Sequence, residues 1–171
     1  NCELSASNGV KVYKDITIQG SGEELITVTA EKLPGDRMIE IKTDSISKGL
    51  TFKNCNVNIS DIPASGYAYN AVIIINSGKL VLDNCDMTID GIQSDGTYNN
   101  MHGFWCLEGG DNLLSVVNGS NLLVQNFAHN AIEWDGTTKY YFEVKDSTYT
   151  SDHTRGGIIG TWDVTFENAT V

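Results

Sequence analysis

The stretches "LTFKNCNVNI" (50–59) and "LVLDNCDMTI" (80–89) share apolar residues at their first, third, eighth and tenth places, with an Asn-Cys pair between. The same frame returns as "LSVVNGS" (114–120), "FEVKDST" (142–148) and "VTFENATV" (164–171). Its pattern is apolar, any, apolar, any, then Asn or Asp, then a small residue. The fifth position is Asn54, Asn84, Asn118, Asp146 and Asn168 in turn. A motif that returns at such intervals is the mark of stacked units, each burying its apolar face against the next. The start-to-start spacings of 30, 34, 28 and 22 residues describe one short coil carrying loops of varying length. The inserts are "SDIPASGYAYN" (60–70) and "GIQSDGTYNN" (91–100), both rich in turn formers.

Each frame has a strand on either side. Before it lie "MIEIKT" (38–43), "AVIIIN" (71–76), "GFWCLE" (103–108), "AIEW" (131–134) and "GGIIG" (156–160); after it come "NVNIS" (56–60), "DMTID" (86–90), "NLLVQN" (121–126) and the weaker "TYTSD" (148–152). Period-two alternation and β-branched residues support strands, and helical periodicity is absent. The expected fold is all-β: one domain of about five to six parallel three-strand coils, with its repeats spanning residues 38–171. Residues 1–37 hold strand-like "DITIQG" and "ELITVTA" without the frame, and are expected to form an N-terminal cap or first coil. Parallel stacking sets equivalent residues about 4.8 Å apart. The corner asparagines should therefore form an internal ladder, amide to amide, in the left-handed backbone that Asn tolerates. Cys55 and Cys85, one place further on, should be stacked neighbours. That spacing suits a disulfide or two small buried thiols, and the residues do not choose between them.

The corner Asn, the stacked Asn-Cys pair and the three-strand coil resemble the right-handed parallel β-helix proteins, the architecture of pectate-lyase-like enzymes and of many secreted surface proteins and adhesins. The resemblance implies a fold and an extracellular setting; function has to be argued from a site. The chain opens on "NCELSASNG" without an initiator Met and stops within the strand pattern "FENATV", so a fragment of a larger secreted or cell-surface protein, bacterial in origin, is the expectation. Eleven basic against twenty-two acidic residues leave a net charge of −11, with the basic residues scattered, which excludes a nucleic-acid surface. The longest apolar run, "AVIII" (71–75), is far too short to cross a membrane as a helix. Cys2, Cys55, Cys85 and Cys106 show no zinc spacing. No metal or cofactor is expected.

Three tryptophans, Trp105, Trp134 and Trp162, recur 29 and 28 residues apart near the first strand of successive coils. With their indoles outward they would form an aromatic column edged by Glu108, Asp135 and Asp163, suited to stacking on sugar rings or anchoring a protein. Trp105, Glu108, Trp134, Asp135, Arg155 and Trp162 are accordingly the candidate ligand-binding residues. His102, His129 and His153 recur at spacings of 27 and 24 but not at equivalent places in the frame, and read as separate polar residues at loop ends. An enzyme of this architecture needs an Arg or Lys base beside clustered acids, or two converging carboxylates. The two arginines, Arg37 and Arg155, carry no lyase-like motif. Glu108, Glu133, Asp135 and Asp152 are possible carboxylates without one, so no catalytic residue is assigned. The expectation is an adhesin-like domain binding an extracellular glycan or host glycoprotein through loops and an aromatic face. The alternative is a polysaccharide lyase or glycoside hydrolase.

Overall fold

The computed structural model describes residues 2–5, 9–21, 25–29, 37–65, 70–107, 109–134, 139–160 and 162–171. Among them there is no helix, and every paired strand runs parallel to its neighbour. The strands stack as a parallel β-solenoid with three sides. Side one is a six-stranded sheet of β2 (Val10–Val12), β5 (Ile39–Ile41), β7 (Ala71–Ile75), β9 (His102–Cys106), β12 (Ile132–Trp134) and β15 (Ile158–Ile159). Side two stacks β3 (Ile16–Gln19), the first part of β6 (Gly49–Ile59), the first part of β8 (Gly78–Asp90), β10 (Asn112–Val117), β13 (Tyr140–Lys145) and β16 (Asp163–Glu167). Side three stacks β1 (Cys2–Ser5), β4 (Leu25–Thr29), the later parts of β6 and β8, β11 (Asn121–Gln125) and β14 (Thr148–Asp152).

Four complete turns run from β5 to β14, and β2, β3 and β4 lay three further sides below them, so the coil count among the described residues differs only slightly from the five to six expected. The difference lies at the ends. The last repeat supplies a two-residue β15, β16 and an isolated Thr148–Thr170 bridge in place of a third side. Of residues 1–37, the described strands β2, β3 and β4 pair with β5 and β6 and so continue all three sides downward.

Strand alternation decides the core. Leu50, Phe52, Leu80, Leu82, Leu114, Val116, Phe142 and Val144 line the inside of side two and are buried. Ile39, Ile73, Phe104 and Ile132 form one inner column of side one; Ile41, Ile75, Cys106 and Trp134 form the next. At about 25 cal/mol per Å2 of apolar area, such columns are the main favourable term of the fold. Gly49 opens side two where its backbone runs close to the next coil, and a Cβ there would collide with the Lys79 carbonyl oxygen.

The corner asparagines do what their backbone preference requires. Asn54, Asn84, Asn118, Asp146 and Asn168 all have φ between 48° and 59°, a left-handed conformation that costs most side chains but suits Asn and Asp. Their ladder runs along the outside of the corner, where Asn84, Asn118, Asp146 and Asn168 are exposed. The Asn84 amide donates to Asn54 Oδ1 (3.0 Å) and the Asn168 amide to Asp146 Oδ1 (3.0 Å). Asn118 instead donates to Asp83 Oδ1 (2.8 Å). The cause is Gly119: Val117 pairs with Asp83 and Asn121 with Asp86, so the upper coil turns the corner with one residue more. The interior polar ladder sits one step inward. Ser120 Oγ accepts from Cys85 N (3.0 Å), and Ser147 Oγ accepts from Ser120 N (3.1 Å).

Candidate functional site

Outward positions on side two form columns as regular as the core. Lys79, Leu113, Tyr141 and Asp163 are register partners, and beside them run Val81, Ser115, Glu143 and Thr165. Over these columns lies an open groove of about 330 Å3, lined by Ile46, Asp111, Leu113, Tyr141, Glu143, Asp163 and Thr165, with Phe142 behind it. Ile46 comes from the connection between β5 and β6, so one loop walls a floor built by three coils. Alternation in "YYFEVK" dictates the floor: Tyr140, Phe142 and Val144 are buried, while Tyr141, Glu143 and Lys145 take the outer face, half-buried.

Glu143 is held on both oxygens. Ser115 Oγ donates to its Oε1 (2.6 Å), and Lys145 Nζ lies 2.7 Å from its Oε2. Partial burial opposes ionisation, yet the hydrogen bonds from Lys145 and Ser115 and the lysine's charge outweigh it and hold the carboxyl below its usual range. A carboxylate so fixed is a permanent anion and hydrogen-bond acceptor. It is poorly suited to giving up a proton as a general acid near neutral pH.

The outer face of side one carries a second polar cluster. Lys11, Glu40, Ile74, Trp105, Glu133 and Ile159 form its central outward column. Trp105 does face outward, as the alternation in "GFWCL" predicts, but only 9% of it is exposed, packed with Ala71, Ile74 and Leu107. Beside it His102, 3% exposed, places Nδ1 3.2 Å from Glu133 Oε2 and accepts from Asn130 N (3.3 Å). Asn130 Nδ2 also donates to that carboxylate (2.5 Å). The His102 and His129 rings lie 5.1 Å apart on neighbouring coils; these two histidines are therefore a pair, unlike the separate loop-end residues expected. His153 stands apart and stacks on exposed Tyr98 at 5.7 Å.

The three tryptophans do not share a face. Trp134 pairs with Cys106, whose column points inward, and its ring packs 4.9 Å from buried Tyr140. Trp162 follows β15 and joins the same inner aromatic group, 5.6 Å from Tyr140 and 6.4 Å from Phe142. The physical reason is phase: in "AIEW" the indole is two residues from Ile132 and so shares its inward direction. Arg155 is exposed, its backbone N–H bonded to His129 O (3.0 Å). Glu108 and Asp135 lie outside the described residues. Asp152 pairs with His153 at 3.7 Å, away from Glu133.

The described parts of the two inserts are joined by a residue that the sequence pattern did not single out. Buried Asn99 donates through Nδ2 to Ile62 O (3.2 Å) and Pro63 O (3.1 Å) and accepts from Ser65 N (3.1 Å). One amide thus fastens the first insert to the second. Among the described residues no group of three or more His, Cys, Asp or Glu is placed to hold a metal. No family model, curated protein or solved structure matches this chain.

Proposed function

We propose that the domain is an adhesin-like binding module of a secreted or bacterial cell-surface protein, and that it takes an extracellular glycan in the side-two groove. The observation that carries this reading is the groove floor, where Tyr141 and Leu113 offer an apolar platform and Asp111, Glu143, Asp163 and Thr165 stand around it as hydroxyl acceptors and partners. Aromatic faces beside fixed acceptors suit a sugar, which has an apolar ring face and a polar rim. Strands place all of these groups except Asp111, which directly precedes β10, so little order is lost on binding. The tied state of Glu143 favours holding a ligand over cleaving one. On side one the half-buried Glu133 and the exposed Arg155 are a further surface for a host glycoprotein, with buried His102 and Trp105 behind them.

The test is a glycan array on the purified domain, run beside reducing-sugar and unsaturated-product assays on acidic polysaccharides with and without calcium. Binding without turnover is expected, weakened about tenfold or more by Tyr141→Ala. Binding that survives Tyr141→Ala and is lost on Arg155→Ala would move the site to side one. Released product would make this a lyase or hydrolase and overturn the reading.

A further inference from the structure

At the corner between sides two and three, the inward place after the ladder residue holds Cys55, Cys85, Ser120, Ser147 and Ala169 in successive coils. The two cysteines are adjacent in this column, register partners on β6 and β8, with Sγ atoms 3.8 Å apart and exposures of 1% and 2%. Higher in the column the hydroxyl of one coil accepts the N–H of the coil below: Ser120 Oγ for Cys85 N, Ser147 Oγ for Ser120 N. A thiol sulfur is a weak acceptor, so Cys85 serves that ladder less well than a serine would. What a contacting pair of thiols offers, and serines do not, is a bond. In-register parallel partners have Cα atoms about 4.8 Å apart, within the range of roughly 4.4–6.8 Å that a disulfide spans.

We propose that Cys55 and Cys85 are an oxidative modification site, joined by exchange with a small-molecule disulfide of the glutathione class while the chain folds. The thiolate of one cysteine attacks a sulfur of the small disulfide, forms a mixed disulfide and releases one small thiolate, which takes up a proton. The second cysteine, as thiolate, then attacks the protein sulfur of that mixed disulfide and displaces the second small thiolate. Two protein thiols are oxidised, one small disulfide is reduced to two thiols, and the two cysteine protons end on the released thiols. Exchange belongs to folding because the finished coil suppresses thiolate: burial first, and the neighbouring Cys55 next, push the Cys85 thiol far up. Once the coil has closed, the same burial keeps reductants away. The bond ties the coil of β5 and β6 to that of β7 and β8 and closes the loop that contains the 60–70 insert.

The experiment is refolding of the full chain in a glutathione redox buffer, then unfolding in guanidinium with iodoacetamide, intact mass and peptide mapping. Expected are a species two hydrogens lighter, a linked pair of peptides containing Cys55 and Cys85, and a melting temperature about 10 °C above that of the reduced chain. Cys106→Ser should leave the link in place, and Cys85→Ser should remove it. Both cysteines alkylated after refolding in excess oxidised glutathione, in a chain with native circular dichroism, would overturn the proposal. So would a link from either one to Cys2 or Cys106. The mapping needs no variant, so a Cys85→Ser chain that fails to fold does not remove the test.

Discussion

At the scale of single residues, the corner asparagines act through the backbone more than through their amides. Asn84 is exposed, with φ at 50° and its amide on Asn54. Asn84→Ala should cost about 1–2 kcal/mol, the penalty for a β-carbon in left-handed backbone, whereas Asn84→Gly should cost only a few tenths. Urea midpoints of the two variants check this; equal losses would assign the stability to the amide bond instead. Asn99 is the opposite case, buried and with its stability in hydrogen bonds. Asn99→Ala strands two carbonyls and an N–H that it serves, and should cost about 2–3 kcal/mol, with faster proteolysis in the 60–70 insert. The corner residues were legible because their signal is local conformation repeated five times. Asn99 was not, because its partners are 34 to 37 residues away and nothing in "TYNN" marks which Asn turns inward.

At the scale of elements, the units are sides that continue from coil to coil. Ser120 shows how one side chain serves three backbones: it accepts from Cys85 N and donates toward Leu82 O (3.0 Å) and Val117 O (2.6 Å). Ser120→Ala should cost about 1–3 kcal/mol, because the Cys85 N–H is left buried without its acceptor. Hydrogen exchange should show faster opening at Cys85 than at Leu80, within the same strand. Alternation within "YYFEVK" was enough to send Tyr141 and Glu143 outward. The groove they floor was not legible, because it also needs Leu113 and Asp163 from neighbouring coils and Ile46 from a loop far back in the chain.

At the scale of the molecule, acid side chains on the outer surface lace coils together. Asp83 bridges Lys53 Nζ (2.8 Å) below and Asn118 above, while Asp90 accepts from Gln125 (2.9 Å), Asn126 (2.7 Å) and Ile92 N (2.9 Å). Lys53 and then Asn118 draw the Asp83 carboxyl below 3.8. For Asp90, burial pulls upward, and the bonds from Asn126, Ile92 N and Gln125 outweigh it, again lowering the value below 3.8. A carboxyl depressed by folding adds stability above its unfolded pKa and loses it as pH falls through the folded one. The melting temperature should therefore hold level from about pH 7 to about pH 5 and fall below about pH 4. An Asp83→Asn/Asp90→Asn chain should melt lower than the parent at pH 7, and the gap should narrow as pH falls below about 4. Parallel lines in such a plot would show that other groups carry the acid dependence.

What the sequence determined by itself was the coil: three short strands, a left-handed corner at Asn or Asp, and the Cys55–Cys85 register. These follow from local backbone preference and period-two burial, which act within a few residues and then repeat. Only the tertiary structure decided which aromatic rings reach the surface and which groups share a groove. Trp134 and Trp162 have the spacing of an outer column, yet they pack within the coil. Spacing along the chain measures the coil's length, whereas the direction of a side chain depends on strand phase, and a groove depends on how far each loop reaches over the coils beside it.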